Sequence, residues 1–579
     1  MYDDIYTLNF VSSFILSSIF ICLSIIFSFI FSFNLTNSKK KYLYQYQPII
    51  IFFLIFCFYA ILFNSLILTN FRLLSVLFYL ILFSKIIYIL TNYKIIFKIL
   101  NLEFFVKKKL IFIFFLIFYL IAILPISDAD SIAIFQNIPA VIFQSGLKGL
   151  NLARDIEFTI FSNTETLLLL SSILKSDNFG AQLNLISLIF LICITYKENK
   201  NFLLIIFSSP LIIYFVSSQK LQLFFGVLYL LLFILIHKKT IQEKIELFFV
   251  VLLLTFYSSG KITYILFSAP LFLYLLKNNI KYYKDIFLYL LISFLIIYAP
   301  LLSIKQIYFG NILAPFFDNL FGKNNEIYNA YALSLRSSEG WLTNPTNLSL
   351  YLRPFISFEL SKISGSLGLI FFTIFNYKLQ KQLKYFPAII VVLILLTGQI
   401  LPRYYFEAFL LLAFFYQINL KFVKLIIYSQ LVAVFSLTII FIYISYFQLN
   451  IFKDKKNYLN RFSYSFFNAQ QLKKDNLNGN ILDFSLDRNS IFFEKNVYSF
   501  RYLNMINKYK NNNNQNLNNF ILNNSIKYLI IYSNYQIPDC LITKEIKETN
   551  RKRVVRNFFN KTIENKYKIM EIRDNKCTY

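Results

Sequence analysis

A chain of 579 residues that is 57% hydrophobic and only 15% charged does not read as a soluble protein, because soluble domains carry about 25% charged residues. Its formal net charge of +28 would suit a nucleic-acid binder if the basic residues were gathered on one soluble surface. Instead the Lys clusters fall between apolar runs, where membrane helices keep their cytoplasmic charge, so the composition excludes a nucleic-acid partner and predicts a polytopic helical membrane protein surrounded by lipid.

About fourteen apolar runs are expected to span the membrane. The first three cover about 10–31, 49–68 and 73–90; Lys39–Lys41 follow the first and Lys94, Lys98 and Lys107–Lys109 the third. Met1–Asn9 has Asp3 and Asp4 but no basic residue, so a cleavable leader is not expected. Lys85 lies near the end of the third run and is expected to snorkel to the interface. The fourth run, about 110–126, ends at an acid pair. With the Lys clusters inside, the pair emerges on the outer face. The same accounting makes 127–180 and 303–362 large outer loops and carries the last run, about 425–447, to the outside. His237 reads as a solvated loop residue. As the single histidine, it rules out a multi-His metal site.

Residues 448–579 read as a separate soluble domain on the outer side. Strand-like runs at Asn480–Phe484, Ile491–Phe493, Tyr528–Tyr532 and Ile569–Ile572 predict a small α/β fold. Cys540 and Cys577 lie in this tail and can pair in an oxidising compartment, whereas Cys22, Cys57 and Cys193 sit in apolar runs as packing residues.

The candidate site is the stretch LPISDADSIAIFQNIPAVIFQSG, residues 124–146. The chain has 29 acidic residues against 57 basic ones, yet Asp128 and Asp130 stand one residue apart where an apolar helix meets water. Acids in that position are functional candidates, although Asp128 can equally cap the helix that follows, with Asp130 in its first turn. Lys220, Lys261 and Arg403 are lone basic residues at outer helix ends, and Arg336 and Arg353 lie in the second outer loop near Trp341. Each can meet a phosphate or snorkel. Glu165 and Gln182 can hold sugar hydroxyls, or pack and cap helices. Asp155 and Glu157 are expected to face solvent or pair with Arg154.

Four segments together resemble the C superfamily of membrane glycosyltransferases (the GT-C fold), which includes protein O-mannosyltransferases and lipid A aminoarabinose transferases. They are SDADSIAIFQNIPAVIFQSG, FSNTETLLLLSSILKSDNFGAQLNLI, IKQIYFGNILAPFFDNLFG and GQILPRYYFEAFLLLAFF. The resemblance covers most of 109–447 and leaves 1–108 as extra N-terminal transmembrane helices. It implies an enzyme of a bacterial inner membrane, with active site and C-terminal domain periplasmic. Such an enzyme moves a hexose or pentose from a polyprenyl-phosphate donor to a lipid, glycan or protein acceptor. By the same resemblance Asp130 is the first choice for the base. Asp128 then orients it, or the two share a divalent ion, Mg or Mn, through hard oxygen ligands. Arg403 is the first choice for the phosphate, since it lies in a matching segment. The rival readings are a polysaccharide polymerase or O-antigen ligase, and a lipid-linked glycan transporter or flippase.

Overall fold

The computed structural model describes residues 5–36, 46–95, 109–195, 200–238, 241, 243–323, 325–337, 367–370, 385–396, 401–415, 421–486, 488, 491–493, 496–510, 513–554 and 562–576. The fold is mostly helical with a small C-terminal sheet. The first helices are α1 Phe10–Thr36, α2 Gln47–Thr69, α3 Leu73–Thr91 and α4 Lys109–Ala122. In hydrocarbon every backbone N–H and C=O must be satisfied within the segment, so such apolar runs have little alternative to helix. Helices α5 Asn137–Ser145, α6 Asn163–Ile173 and α7 Phe179–Thr195 follow the acid pair. The sixth apolar run is broken at Pro210 into α8 Lys200–Ser208 and α9 Leu211–Val216. Then come α10 Gln222–His237, α11 Lys244–Ser259, α12 Tyr264–Asn278 and α13 Tyr283–Phe309. The helical body ends with α14 Glu326–Ser337, α15 Tyr385–Leu396, α16 Phe406–Phe415 and α17 Lys421–Tyr443. Another apolar run, at about 365–377, lies mostly outside the described residues.

Among the described residues five helical stretches are long and apolar enough to cross a membrane: Phe10–Leu35, Gln47–Thr69, Leu73–Thr91, Ile280–Phe309 and Lys421–Gln448. They mark a membrane protein. The second is 72% buried within the protein whereas the last two are 22% buried, so α2 is a central post and α13 and α17 face outward. Helix α10 is buried on all sides and serves as a second post.

The segment 127–180 does not lie on the surface as a loop. Every residue of α6 is buried, and Asn163 sits between Asn64 of α2 (2.6 Å) and Ser259 of α11 (2.6 Å), lacing the segment into the helical body. Lys85 does not snorkel: its amine is buried over the rings of Tyr59 (4.7 Å), Phe20 (5.3 Å) and Phe27 (5.9 Å). Three aromatic faces take the place of headgroup water there. His237 is not a solvated loop residue either; it ends α10, stacks on Phe233 and bonds Tyr274 OH at 2.9 Å.

The tail opens with α18 Lys455–Phe462 and α19 Tyr464–Asp475. Strands β1 Asn480–Asp483 and β2 Val497–Ser499 follow, then α20 Phe500–Lys510 and α21 Asn513–Asn523. Strands β3 Ile526–Tyr532, β4 Leu541–Val554 and β5 Thr562–Asn575 complete a sheet of order β2-β1-β3-β5-β4. β1 runs parallel to β2 and β3, while β5 pairs antiparallel with β3 and β4. The expected α/β character is present, but Ile491–Phe493 forms turns rather than a strand. Cys540 is disulfide-bonded; Cys577 lies outside the described residues, although its neighbour Lys576 donates its N–H to the Cys540 carbonyl at 3.0 Å.

Candidate functional site

Past Pro125 the chain turns into a helix that passes through a π-helical segment, Ser131–Gln136, before continuing as α5. Single π-turns are enriched at functional sites because they rotate side chains out of regular register. Asp128 accepts the Ser131 N–H at 3.1 Å with one oxygen and faces the Lys220 amine at 3.3 Å with the other. Capping and site duty, alternatives in the sequence, coincide in this one side chain.

Asp130 is the centre of the cluster. Its Oδ2 meets Lys220 Nζ at 3.1 Å and Arg403 Nη1 at 3.2 Å, and its Oδ1 meets Arg488 Nη1. Asp130 is nearly closed off, with 5% of its side chain exposed, while Asp128 keeps 25%. The loop that presents Lys220 is pinned on three sides. Gln219 donates its N–H to Ser131 Oγ at 3.1 Å, Gln219 also accepts from Gly180 N–H, and Asn184 bonds the Lys220 carbonyl at 2.7 Å. Tyr214 OH contacts Lys220 and lies 3.4 Å from Arg403 Nη1. Burial opposes the Lys220 ammonium, but Asp128 and Asp130 outweigh it and hold its pKa above the ordinary value. The Arg488 guanidinium follows the same pattern: burial opposes its charge, and Asp130 and Glu157 raise its pKa regardless.

Arg488 belongs to the tail, so the tail is a wall of the site rather than an appendage. Its attachments continue outward. Arg501 of α20 reaches Glu157 at 3.3 Å, and Arg488 Nε lies 3.7 Å from the same carboxylate, which is therefore buried in an ion pair rather than facing solvent. Asp155 does pair with Arg154, at 2.8 Å, but is buried. Lys455 of α18 pairs with Asp177 at 2.8 Å, both side chains fully enclosed, and its amine also reaches the Thr7 carbonyl at 2.9 Å. Tyr458 bonds Ser127, the residue next to Asp128.

Lys261 lies at the edge of the cluster, its amine 4.1 Å from the centre of the Tyr404 ring, and Arg403 lies 5.3 Å from the same ring. Burial lowers the Lys261 pKa. Burial alone would raise the Tyr404 phenol, but Lys261 and Arg403 override it and bring it down to about 7.

The structure thus brings together Asp128, Asp130, Lys220 and Arg403, with Lys261 adjacent. It engages Glu165 and Gln182 elsewhere. Glu165 closes the N-terminal cap of α6 through Ser162 N–H at 2.8 Å and Ser162 Oγ at 2.5 Å. Gln182 accepts from Ser18 at 2.9 Å and donates to Asn178 at 2.9 Å, joining α7 to α1. Arg336 sits on α14 with its side chain outside the described residues, where Arg353 and Trp341 also lie. The residues present do not fit a divalent ion shared by the acid pair. The Lys220 ammonium already bridges the two carboxylates, with Arg403 beside it, and a dication would be repelled from that position.

The sequence missed Arg488 and Tyr214, and read Glu157 as facing solvent or paired with Arg154. A single Arg within a basic, Asn-rich tail carries no local signal. Comparison with known proteins returns no match: no family model, no curated protein and no solved structure aligns with this chain.

Proposed function

We propose that the chain is a membrane glycosyltransferase that moves a sugar from a polyprenyl-phosphate carrier to a hydroxyl of a lipid, glycan or protein acceptor. The observation that carries this reading is the buried cluster at the end of α4, where Lys220, Arg403 and Arg488 converge on Asp130 beside a second carboxylate, Asp128. Transfer from a lipid phosphate needs positive charge to receive the departing phosphate and a base for the acceptor hydroxyl. Arg offers a fork matched to phosphate oxygens and Lys a point charge, so the cluster has both kinds of partner.

The acceptor oxygen attacks the anomeric carbon, loses its proton to a carboxylate, and the carbon–phosphate oxygen bond breaks in a single displacement with inversion. Access favours Asp128 for the proton, since it is the more open of the pair. Asp130, held by cations on both oxygens, is better suited to gather and orient them. The division reverses the order expected from the resemblance. In this reading the apolar helices accommodate the lipid chain of the donor and the cluster faces the periplasm from a bacterial inner membrane.

The test is consumption of polyprenyl-phosphate sugars by membranes containing the protein, with native lipid and glycan extract as acceptor, beside Asp128→Asn and Asp130→Asn. Loss of kcat with donor affinity kept in Asp128→Asn, and loss of donor affinity as well in Asp130→Asn, would support this division of roles. No consumption of any donor by well-folded wild-type protein would sink the transferase reading.

A further inference from the structure

Glu407 is the second residue of α16, an otherwise apolar helix of sequence FEAFLLLAFF, and it is fully buried. One of its oxygens accepts from Gln222 Nε2 at 3.2 Å, and the same amide holds the Arg403 carbonyl at 3.1 Å. The other, Oε2, has no hydrogen-bond partner. Tyr257 of α11 lies within electrostatic reach of Glu407, and its hydroxyl is likewise buried without a partner. The Tyr257 ring stacks on Tyr264 at 4.8 Å and 17°. Lys261 and Tyr404 are both partly exposed, and Lys261 is also within electrostatic reach of Glu407. Gly226 of α10 makes the close approach possible, because a Cβ there would lie 2.9 Å from the Phe406 ring.

A scaffold has no use for this arrangement. An unpartnered carboxylate oxygen and an unpartnered hydroxyl in an apolar interior each carry a desolvation penalty, which hydroxyls of a ligand would relieve. The groups on offer are an acceptor, a hydroxyl able to donate or accept, an ammonium and flat aromatic walls. That set suits a polyhydroxylated ring, with hydroxyls on the polar atoms and C–H faces on the rings. One helical turn separates Glu407 from Arg403, which touches Asp130 at 3.2 Å. A sugar over Glu407 therefore points its phosphate end at the cation cluster.

We propose that Glu407, with Tyr257 and Lys261, forms the subsite for the hydroxyls of the transferred sugar. The proposal rests on the lipid-phosphate sugar reading and names where that sugar sits. The test is binding to the purified full chain in lipid nanodiscs. The probes are a short-chain polyprenyl phosphate and the same lipid phosphate bearing mannose, glucose, N-acetylglucosamine or a pentose. Wild type is expected to bind at least one sugar-bearing probe roughly tenfold more tightly than the bare phosphate, the equivalent of one charge-assisted hydrogen bond. Glu407→Gln and Tyr257→Phe should each remove most of that increment while binding the bare phosphate as wild type does, which also reports that they fold. An increment unchanged in both variants overturns the subsite, as does wild type gaining nothing from any sugar while holding the bare phosphate. Loss of bare-phosphate binding in both variants would make these residues structural and overturn it too. Wild type binding none of the probes overturns the lipid-phosphate reading and the subsite together.

Discussion

Two buried ion clusters in this molecule look alike and differ in balance. Inside the tail, Arg551 lies between Asp475 (2.8 Å) and Asp483 (3.6 Å), and Lys547 adds a second cation to Asp475 at 3.0 Å. Ser485 donates its N–H and hydroxyl to one oxygen of Asp483, at 2.8 and 2.5 Å, and Thr549 takes an Arg551 N–H at 3.2 Å. Two cations meet two acids there, and the network closes on itself within one domain. At the end of α4 four cations, Lys220, Arg403, Arg488 and Arg501, meet three acids, Asp128, Asp130 and Glu157, and the residues come from both the helical body and the tail. A cluster that keeps a cation in excess can take up an anion, as the proposed transfer requires; a balanced one has no such need.

The comparison can be broken at either cluster. Arg551→Leu removes the cation shared by Asp475 and Asp483 and leaves buried Asp483 without an ion-pair partner among the described residues, while Asp475 keeps Lys547. It should destabilise the tail by about 3–5 kcal/mol, as for other broken buried pairs, read as earlier loss of protease resistance in the tail on heating the full chain. Little change in stability, with donor turnover lost, would show that the balanced cluster is not scaffold. Asp130→Asn removes the hub of the other cluster and should cut donor turnover roughly 100- to 1,000-fold, with little change in the tail's unfolding midpoint. Arg488→Ala should cost turnover on the order of tenfold and Arg488→Lys less, because an ammonium restores the charge but not the fork. Equal loss in the two variants would assign the effect to geometry rather than charge.

The smallest expected effect tests a carboxylate that belongs to neither cluster. Burial raises Glu165 to about 7, with its Ser162 bonds working against the shift. Between the ordinary carboxyl value and about 7 the folded chain holds a proton that the unfolded chain has released, so stability should fall as pH rises across that interval and level off above it. Glu165→Gln, which keeps the cap acceptor, should flatten that slope; unfolding midpoints at pH 5 and pH 8 measure it.

The acid pair was legible because two carboxylates at a helix exit are rare in a chain so poor in acid, and Lys220 and Arg403 were legible as lone cations at helix ends. Arg488 was not, because what makes it special is a partner 358 residues away. For the same reason the docking of the tail through Lys455 and Arg501 left no local trace. Strand β5 was announced by Ile569–Ile572, but β4 hid for another reason: LITKEIKETNRKRV is too charged for an alternating apolar pattern, and its pairing with β5 comes from main-chain bonds. Lys85 was misjudged because snorkelling assumes the nearest relief is water, whereas here it is a cage of rings. Glu165 and Gln182 were ambiguous between packing and site, and their neighbours decided for packing.

Because Arg488 reaches back to Asp130, and Lys455 to Asp177 and Thr7, the order of synthesis acquires a meaning. The acid pair is made early, Lys220 and Arg403 later, and the closing Arg488 guanidinium after α17. A nascent or truncated chain can insert its helices and still lack a finished centre. Assembly of the cluster therefore waits on the tail, and the helical body alone cannot complete it.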